Sequence, residues 1–261
     1  ALLHASPMLF HDRFDAAAVL RDLPSASVFM GVPTFYTRLL GEPAFDQALC
    51  NTMRLFISGS APLLDATFEE FRERTGHTIL ERYGMTEALM VTSNPYAGPR
   101  IAGSVGPSLP GISVRVVTEN GQLAKPGEPG VLEMKGPNMF AGYWRNPEKT
   151  AEDHTADGWF ISGDIATEDE AGYIRIVGRA KDLIISGGYN IYPKEVEMAI
   201  DALEGVIESA VIGVPHPDFG EGVVAVVVRE AGAAIDAEAI TKTLATELAA
   251  FKRPKRVVIV D

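Results

Sequence analysis

The sequence predicts a mixed α/β fold in three parts. These are a partial large domain with a mostly parallel sheet over residues 1–102, a small irregular β-barrel-like subdomain over 103–179, and a mobile C-terminal α+β domain over 180–261. Three observations carry this. Before residue 100, short apolar runs alternate with amphipathic stretches, as strands do with the helices that cover them. From Gly103 the apolar runs shorten and Gly/Pro turns multiply, with no helical stretch long enough to cover a parallel sheet. After Arg179 strands and helices alternate again, entered through the stretch GRAKDLIISGGYNIYPKE at 178–195. That stretch joins charges at a domain edge to a short apolar strand, a glycine pair and a proline-started helix.

Taken in order, Asp15 caps a short helix through Leu23, residues 27–30 form a strand, and Pro33 opens a helix striped by Phe35, Tyr36, Leu39 and Leu40. A strand at 53–57 enters the small-residue turn Ser58-Gly59-Ser60-Ala61-Pro62. The helix at 65–74 turns Phe68 and Phe71 inward, and a strand at 78–81 runs into the loop RYGMTE at 82–87. Parallel sheets hold ligands beyond the carboxyl ends of their strands, and both loops fall at such ends. The β-rich part has strands at 113–117, 130–135, 159–161 and 173–177, with a helical insertion around 148–153. The last part reads strand 183–186, helix 194–203, strands 208–214 and 223–229, helix 236–249 and strand 256–260. Val196, Ile200 and Leu203 recur at near-helical spacing there.

A hydrophobic content of 46% excludes a disordered chain. Acidic residues outnumber basic ones by 35 to 23, a formal charge of −12, which argues against a nucleic-acid polymer as partner and leaves a small polyanion in a local basic site open. Cys50 is the single cysteine and the five histidines are scattered, so neither a disulfide framework nor a short-spaced metal site is present. No apolar run reaches the roughly 20 residues that span a bilayer. The expectation is a cytoplasmic chain with no membrane partner. Ala1-Leu2-Leu3-His4 reads like the middle of an element, so a fragment is expected, open to self-association through an exposed sheet edge.

Several constellations carry chemistry, each beside a plainer reading. Tyr83-Gly84-Met85-Thr86-Glu87 offers a ring to stack on a base, a hydroxyl for a phosphate and a carboxylate for Mg²⁺, a hard cation; it is equally an ordinary polar turn. Residues 59–62 present no large side chain, so a flat ligand can lie on their backbone, or they simply turn the chain. Asp164, just after Gly163, can accept from two adjacent ribose hydroxyls with Arg179 adding a donor; a plain Asp–Arg salt bridge is the rival. Lys181 and Asp182, before Gly187 and Gly188, either keep a moving boundary hydrated or mark a rigid turn. Arg38 either snorkels to water or crosses into a pocket to pair with a ligand carboxylate, helped by Ser58.

Four motifs occur in order: SGSAP at 58–62, ERYGMTE at 81–87, GWFISGD at 158–164 and the stretch 178–195. Together they resemble the adenylate-forming acyl-CoA synthetase superfamily, and the similarity continues through VIGVPHPDFGE at 211–221 and FKRPK at 251–255. Segments 31–38 and 54–63 look most like its malonate-activating branch. The resemblance implies an AMP-forming acid–thiol ligase that uses ATP, Mg²⁺ and CoA, with malonate or a similar small carboxylate as the acid. It implies nucleotide contacts from Ser60, Ala61, Pro62, Glu81, Tyr83, Gly84, Thr86, Asp164 and Arg179, with Thr86 and Glu87 catalytic and Glu87 the metal ligand. It also implies Arg38 and Ser58 on the acid, Gly187 and Gly188 on CoA, and Lys181 as the hinge. The family's Gly/Ser/Thr-rich phosphate loop and acyl-site histidine do not occur. Its adenylation lysine is expected beyond Asp261, a place that Lys252 and Lys255 do not fill. Residues 1–261 alone are therefore expected to be essentially inactive. Two alternatives stay open: a ligase for another short-chain or aryl acid, and a non-catalytic adenylate-binding fragment.

Overall fold

The computed structural model describes residues 5–260. They divide into two compact units. One comprises the residues up to Ile112 with Pro137–Phe140 and Gly172–Ile174; the other comprises Ser113–Gly136, Ala141–Ala171 and the residues from Arg175 onward.

The first unit is a twisted sheet covered by helices. Helix α1 (Ala16–Asp22) begins where Asp15 Oδ1 accepts from the Ala18 N–H at 2.8 Å, satisfying one of the first-turn donors. Strand β1 (Val28–Gly31) leads to α2 (Pro33–Leu40), whose proline brings a preset φ to the first turn. Strand β2 (Leu55–Ser58) pairs parallel with β1, helix α3 (Asp65–Thr75) follows, and β3 (Ile79–Met85) pairs parallel with β2. The core is aromatic. Phe71 from α3 meets Tyr36 from α2 and Phe56 from β2 edge to face, with centroids 5.5 and 4.9 Å apart, and the Tyr36 hydroxyl donates to the Ile57 carbonyl at 2.7 Å. Arg74 donates to the Leu40 and Glu42 carbonyls, tying the end of α3 to the end of α2.

The sequence places residues 82–87 in a loop after a strand at 78–81. The segment 82–85 is not loop: β3 continues to Met85 and folds back antiparallel onto β4 (Leu89–Ser93), giving the sheet order β1-β2-β3-β4. Gly84 makes this close return possible, because a Cβ there would lie 2.1 Å from the Leu89 carbonyl oxygen.

The second unit contains two sheets. Strands β5 (Ser113–Val117), β6 (Gly130–Lys135), β7 (Phe160–Glu168) and β8 (Ile174–Arg179) lie in that order, with α4 (Pro147–Glu152) inserted between β6 and β7. This barrel-like part is an open sheet that does not close on itself. Strand β7 runs well past the expected 159–161, and Asp164 sits inside it rather than at its end. The left-handed Gly163, at φ 73°, lets the strand pass its irregular register against β6.

The C-terminal lobe carries β9 (Ile184–Ser186), β10 (Tyr189–Ile191), α5 (Pro193–Asp201), β11 (Val206–His216), β12 (Gly220–Arg229), α6 (Ala237–Glu247) and β13 (Arg256–Val260). Their sheet order is β10-β9-β12-β11, with β13 parallel along β12. Val196 and Ile200 of α5 and Ile240 and Leu244 of α6 share one apolar core with Val211, Val223, Ala225 and Val227. Removing such side chains from water supplies the main stabilisation of the lobe, at about 1.5–3 kcal/mol each for the larger ones.

Candidate functional site

In the first unit the expected residues gather where β2 and β3 end. Ser58 and Glu81 are paired neighbours in the parallel ladder and both are buried. Beyond Ser58 the chain turns sharply: Ser60 adopts φ 71°, a left-handed conformation that is unusual for serine, while Ser60, Ala61 and Pro62 lie exposed. A Cβ on Gly59 would touch the Arg82 carbonyl oxygen at only 3.4 Å, so its lack of a side chain is not forced by packing. Gly84 is the opposite case, required by the β3–β4 pairing described above. Tyr83 is half-buried and its hydroxyl donates to Met85 Sδ at 3.7 Å.

Thr86 and Glu87 occupy the hairpin tip between β3 and β4, Thr86 exposed and Glu87 half-buried. The tip is pinned by residues that the motifs do not single out. The Phe140 N–H donates to the Glu87 carbonyl at 2.7 Å, and Asn138 Nδ2 donates to the Ala88 carbonyl and, at 3.3 Å, to that of Met90. Asn94 does the same for β3: its amide donates to the Glu81 carbonyl at 3.1 Å while its oxygen accepts from the Ile101 N–H at 3.1 Å. The only sequence sign of these two asparagines is their place in Gly/Pro-rich turns.

Of the two readings of Arg38, the structure has the exposed one, with the guanidinium 5.9 Å over the Phe14 ring. Ser58 is fully buried and, among the described residues, its hydroxyl makes no hydrogen bond.

In the second unit Asp164 and Arg179 do meet. Arg179 Nε donates to Asp164 Oδ1 at 2.7 Å; the carboxylate side chain is 3% exposed and the arginine side chain 52%. The Asp164 backbone N–H is held by Ser162 Oγ at 3.0 Å, whose own proton goes to the Leu132 carbonyl at 2.6 Å. Lys181 is exposed on the short helical turn Ala180–Asp182 between β8 and β9. Gly187 and Gly188 form the two-residue turn from β9 to β10, with φ of 59° and 81°. Positive φ at both turn positions by itself calls for glycine. A Cβ on Gly188 would meet nothing within 4 Å, so the space beside it is open.

Around that turn lies an aromatic and basic surface that the motifs do not announce. Tyr189 stacks on Phe251 at 4.6 Å, and Lys252 Nζ sits 5.7 Å from the Phe251 ring while bonding Glu195 Oε1 at 2.5 Å. Lys255 Nζ lies 4.9 Å over Phe219, whose carbonyl accepts from the Gly187 N–H at 2.9 Å. The alternation of Phe251, Lys252, Arg253 and Lys255 is the signal that points to it.

Among the described residues no three acidic, histidine or cysteine side chains group to hold a metal, and no helix is long and apolar enough to cross a membrane. A hollow of about 670 Å³ opens beside Tyr143, Trp144, Arg145 and His154 and includes none of the expected site residues.

A partly parallel sheet with small-residue and aromatic–carboxylate segments near its strand ends, followed by a separately cored α+β lobe, is the organisation of an adenylate-forming ligase. Residues 1–144 match the AMP-binding enzyme family and residues 195–261 the AMP-binding enzyme C-terminal domain; the chain belongs to this family. Its backbone is similar to that of ATP-bound MatB from Rhodopseudomonas palustris, with a TM-score of 0.93 and 56% identity over 97% of this chain and 50% of that one. It is 40% identical to a feruloyl-CoA synthase of Amycolatopsis sp, covering 100% of this chain and 53% of the relative. It is 37% identical to the mitochondrial malonate–CoA ligase ACSF3 of Mus musculus, covering 92% of this chain and 46% of the relative. The chain thus spans about half the length of the proteins it matches.

Proposed function

We propose that this chain forms part of an ATP-dependent ligase that joins malonate to CoA through malonyl-AMP. A carboxylate resists nucleophiles because charge and resonance protect its carbon, so it must first be given a leaving group. A malonate oxygen attacks the α-phosphorus of ATP, the bond to the β-phosphate oxygen breaks, and pyrophosphate departs. The CoA thiol then loses its proton to solvent, its sulfur attacks the acyl carbon, and the bond from that carbon to the phosphate oxygen breaks, releasing AMP. Each step needs its own set of contacts on the same acyl-adenylate, which makes a hinge at Lys181 useful.

The buried carboxylate of Asp164 carries this reading. A carboxylate held out of water by a strand, with a half-exposed guanidinium beside it, offers two acceptor oxygens to the adjacent hydroxyls of a ribose. Tyr83, Ala61 and Pro62 would border the base, Ser60, Glu81 and Gly84 would be further nucleotide contacts, and the exposed Thr86 hydroxyl would donate to a phosphate. Mg²⁺, when bound, supplies charge neutralisation at the phosphates. Glu87 would offer it one hard oxygen. Open space beside Gly188 suits the CoA arm, and the Tyr189, Phe251, Lys252 and Lys255 surface suits its nucleotide end. Similarity to ATP-bound MatB supports ATP, and similarity to ACSF3 supports malonate.

A second reading has its own observation. Arg38 is exposed, and a feruloyl-CoA synthase is as similar as the malonate ligase, so another carboxylic acid is the competing substrate. One experiment separates the two. Joined to the remaining half of the R. palustris MatB chain, these 261 residues should support pyrophosphate exchange into ATP that depends on malonate. Exchange driven equally by ferulate or propionate would remove the malonate assignment, and no exchange with any acid would remove the ligase reading.

A further inference from the structure

We infer that Asn190 and Glu119 are positioning residues: their hydrogen bond latches the C-terminal lobe to the β5–β6 turn and must open when the lobe presents Gly187 and Gly188 to a thiol substrate. The inference rests on the ligase reading for its purpose, but its geometry stands alone. Asn190, at the centre of β10, donates from Nδ2 to Glu119 Oε1 at 2.5 Å. A charged acceptor makes this stronger than an ordinary side-chain bond.

Both ends of the latch are braced. Glu119 is presented by a turn in which Thr118 Oγ1 bonds the Gln122 carbonyl at 3.0 Å, the Gly121 N–H donates to the Thr118 carbonyl at 2.9 Å, and the Gln122 N–H reaches Asn120 Oδ1 at 3.3 Å. Asn190 is presented by the β9–β10 hairpin, held by the bond from the Gly187 N–H to Phe219, by the Ile185 N–H donating to Glu221 Oε2 at 2.7 Å, and by the stacking of Tyr189 on Phe251. A bond between two stiff presenters fixes an orientation, whereas the same bond between loose loops would not.

The neighbourhood agrees. Tyr192 follows β10, and a Cβ on Gly178 would sit 3.9 Å from the Tyr192 Cβ. Burial raises the Tyr192 phenol above its ordinary pKa, and the negative charges of Glu119 and Glu195 add to the rise. The chain joining sheet to lobe, from Arg179 to Asp182, is exposed along its length. Because Asn190 and the glycine pair share one short hairpin, the lobe cannot re-aim Gly187 and Gly188 while Asn190 stays on Glu119.

The test uses the whole 261-residue chain carrying spin labels at the exposed positions Glu170 and Glu208, one beside β8 and one on β11. Asn190→Asp sets two carboxylates against each other. It should shift the ratio of label-to-label distances about tenfold toward a second population, and Asn190→Ala should shift it in the same direction. Adding Glu119→Gln to Asn190→Asp exchanges donor and acceptor and should restore the original distribution. Unchanged distances in both single variants, or no restoration in the double variant, would overturn the latch. Absence of acid-dependent pyrophosphate exchange in the chain joined to the remaining half of MatB, while the distances still respond, would sink the ligase reading and leave the latch standing.

Discussion

Arg179 Nε stands 2.7 Å from Asp164 Oδ1, joining a side chain that is half in water to one that is almost wholly out of it. The asymmetry sets what each residue is worth. An ion pair with so exposed a cation is heavily screened, so Arg179→Ala should lower stability by no more than about 1–2 kcal/mol. If Asp164 also receives ribose hydroxyls, Asp164→Asn keeps the shape, removes the charge and replaces one acceptor oxygen with a donor. It should weaken a malonyl-adenylate analogue about tenfold or more, roughly 1.4 kcal/mol, by calorimetric titration. Equal affinity in wild type and variant would reduce the pair to a structural salt bridge.

The glycines at the two strand ends should respond in opposite ways. Gly84→Ala drives a methyl into the Leu89 carbonyl and should cost roughly 2–3 kcal/mol or prevent folding, read from a denaturant midpoint. Gly59→Ala makes only an ordinary contact with Arg82 and should stay within about 0.5 kcal/mol of wild type. A tenfold loss of adenylate-analogue binding in that stable variant would then report a ligand lying against Gly59. Unaltered binding would leave the segment 58–62 as a turn.

Arg38 is exposed, so its replacement by alanine should hardly change the melting temperature. The informative comparison is between analogues. Malonyl-adenylate should lose about tenfold or more in affinity and propionyl-adenylate should be unaffected, because only the former offers a second carboxylate to a guanidinium. Equal losses would take the specificity role from Arg38 and favour another acid.

Much of this was legible where the signal is local. Asp15 caps its helix as its position implies, Pro33 and Pro193 open theirs, and Phe68 and Phe71 face the core. What escaped depends on residues far apart in the chain. Strand β7 continues past Ser162, Gly163 and Asp164, which have little strand propensity, because β6 pairs with Phe160 and Ile161 before them and with Ile165 and Ala166 after them. Strand β10 is three residues long and exists through its pairing with β9. Asp164 and Arg179 could be named from motifs. Asn94 and Asn138 could not, since an asparagine that answers distant carbonyls looks in sequence like any other turn residue.

Asp201, at the end of α5, makes stability depend on pH with a sign opposite to that of most carboxylates. Its side chain is 12% exposed, accepts from Ser209 Oγ at 2.6 Å and lies 3.9 Å from Lys194 Nζ. Burial raises its pKa above the ordinary 3.8 and the charge of Glu197 adds to this, while Ser209 and Lys194 pull the other way without cancelling it. The folded chain therefore holds this proton more tightly than the unfolded chain does. Stability from this group falls as pH rises from about 3.8 through the raised folded value, and the full cost of the buried charge is present above it. Asp201→Asn keeps an oxygen to accept from Ser209 and has no charge to bury. Thermal melts between about pH 4 and pH 7 should show the variant gaining on wild type as pH rises, with the difference constant once Asp201 is fully ionised. A difference that is the same throughout, or that grows toward acid, would mean that Lys194 outweighs burial and that the carboxylate stabilises the α5–β11 contact as an ion.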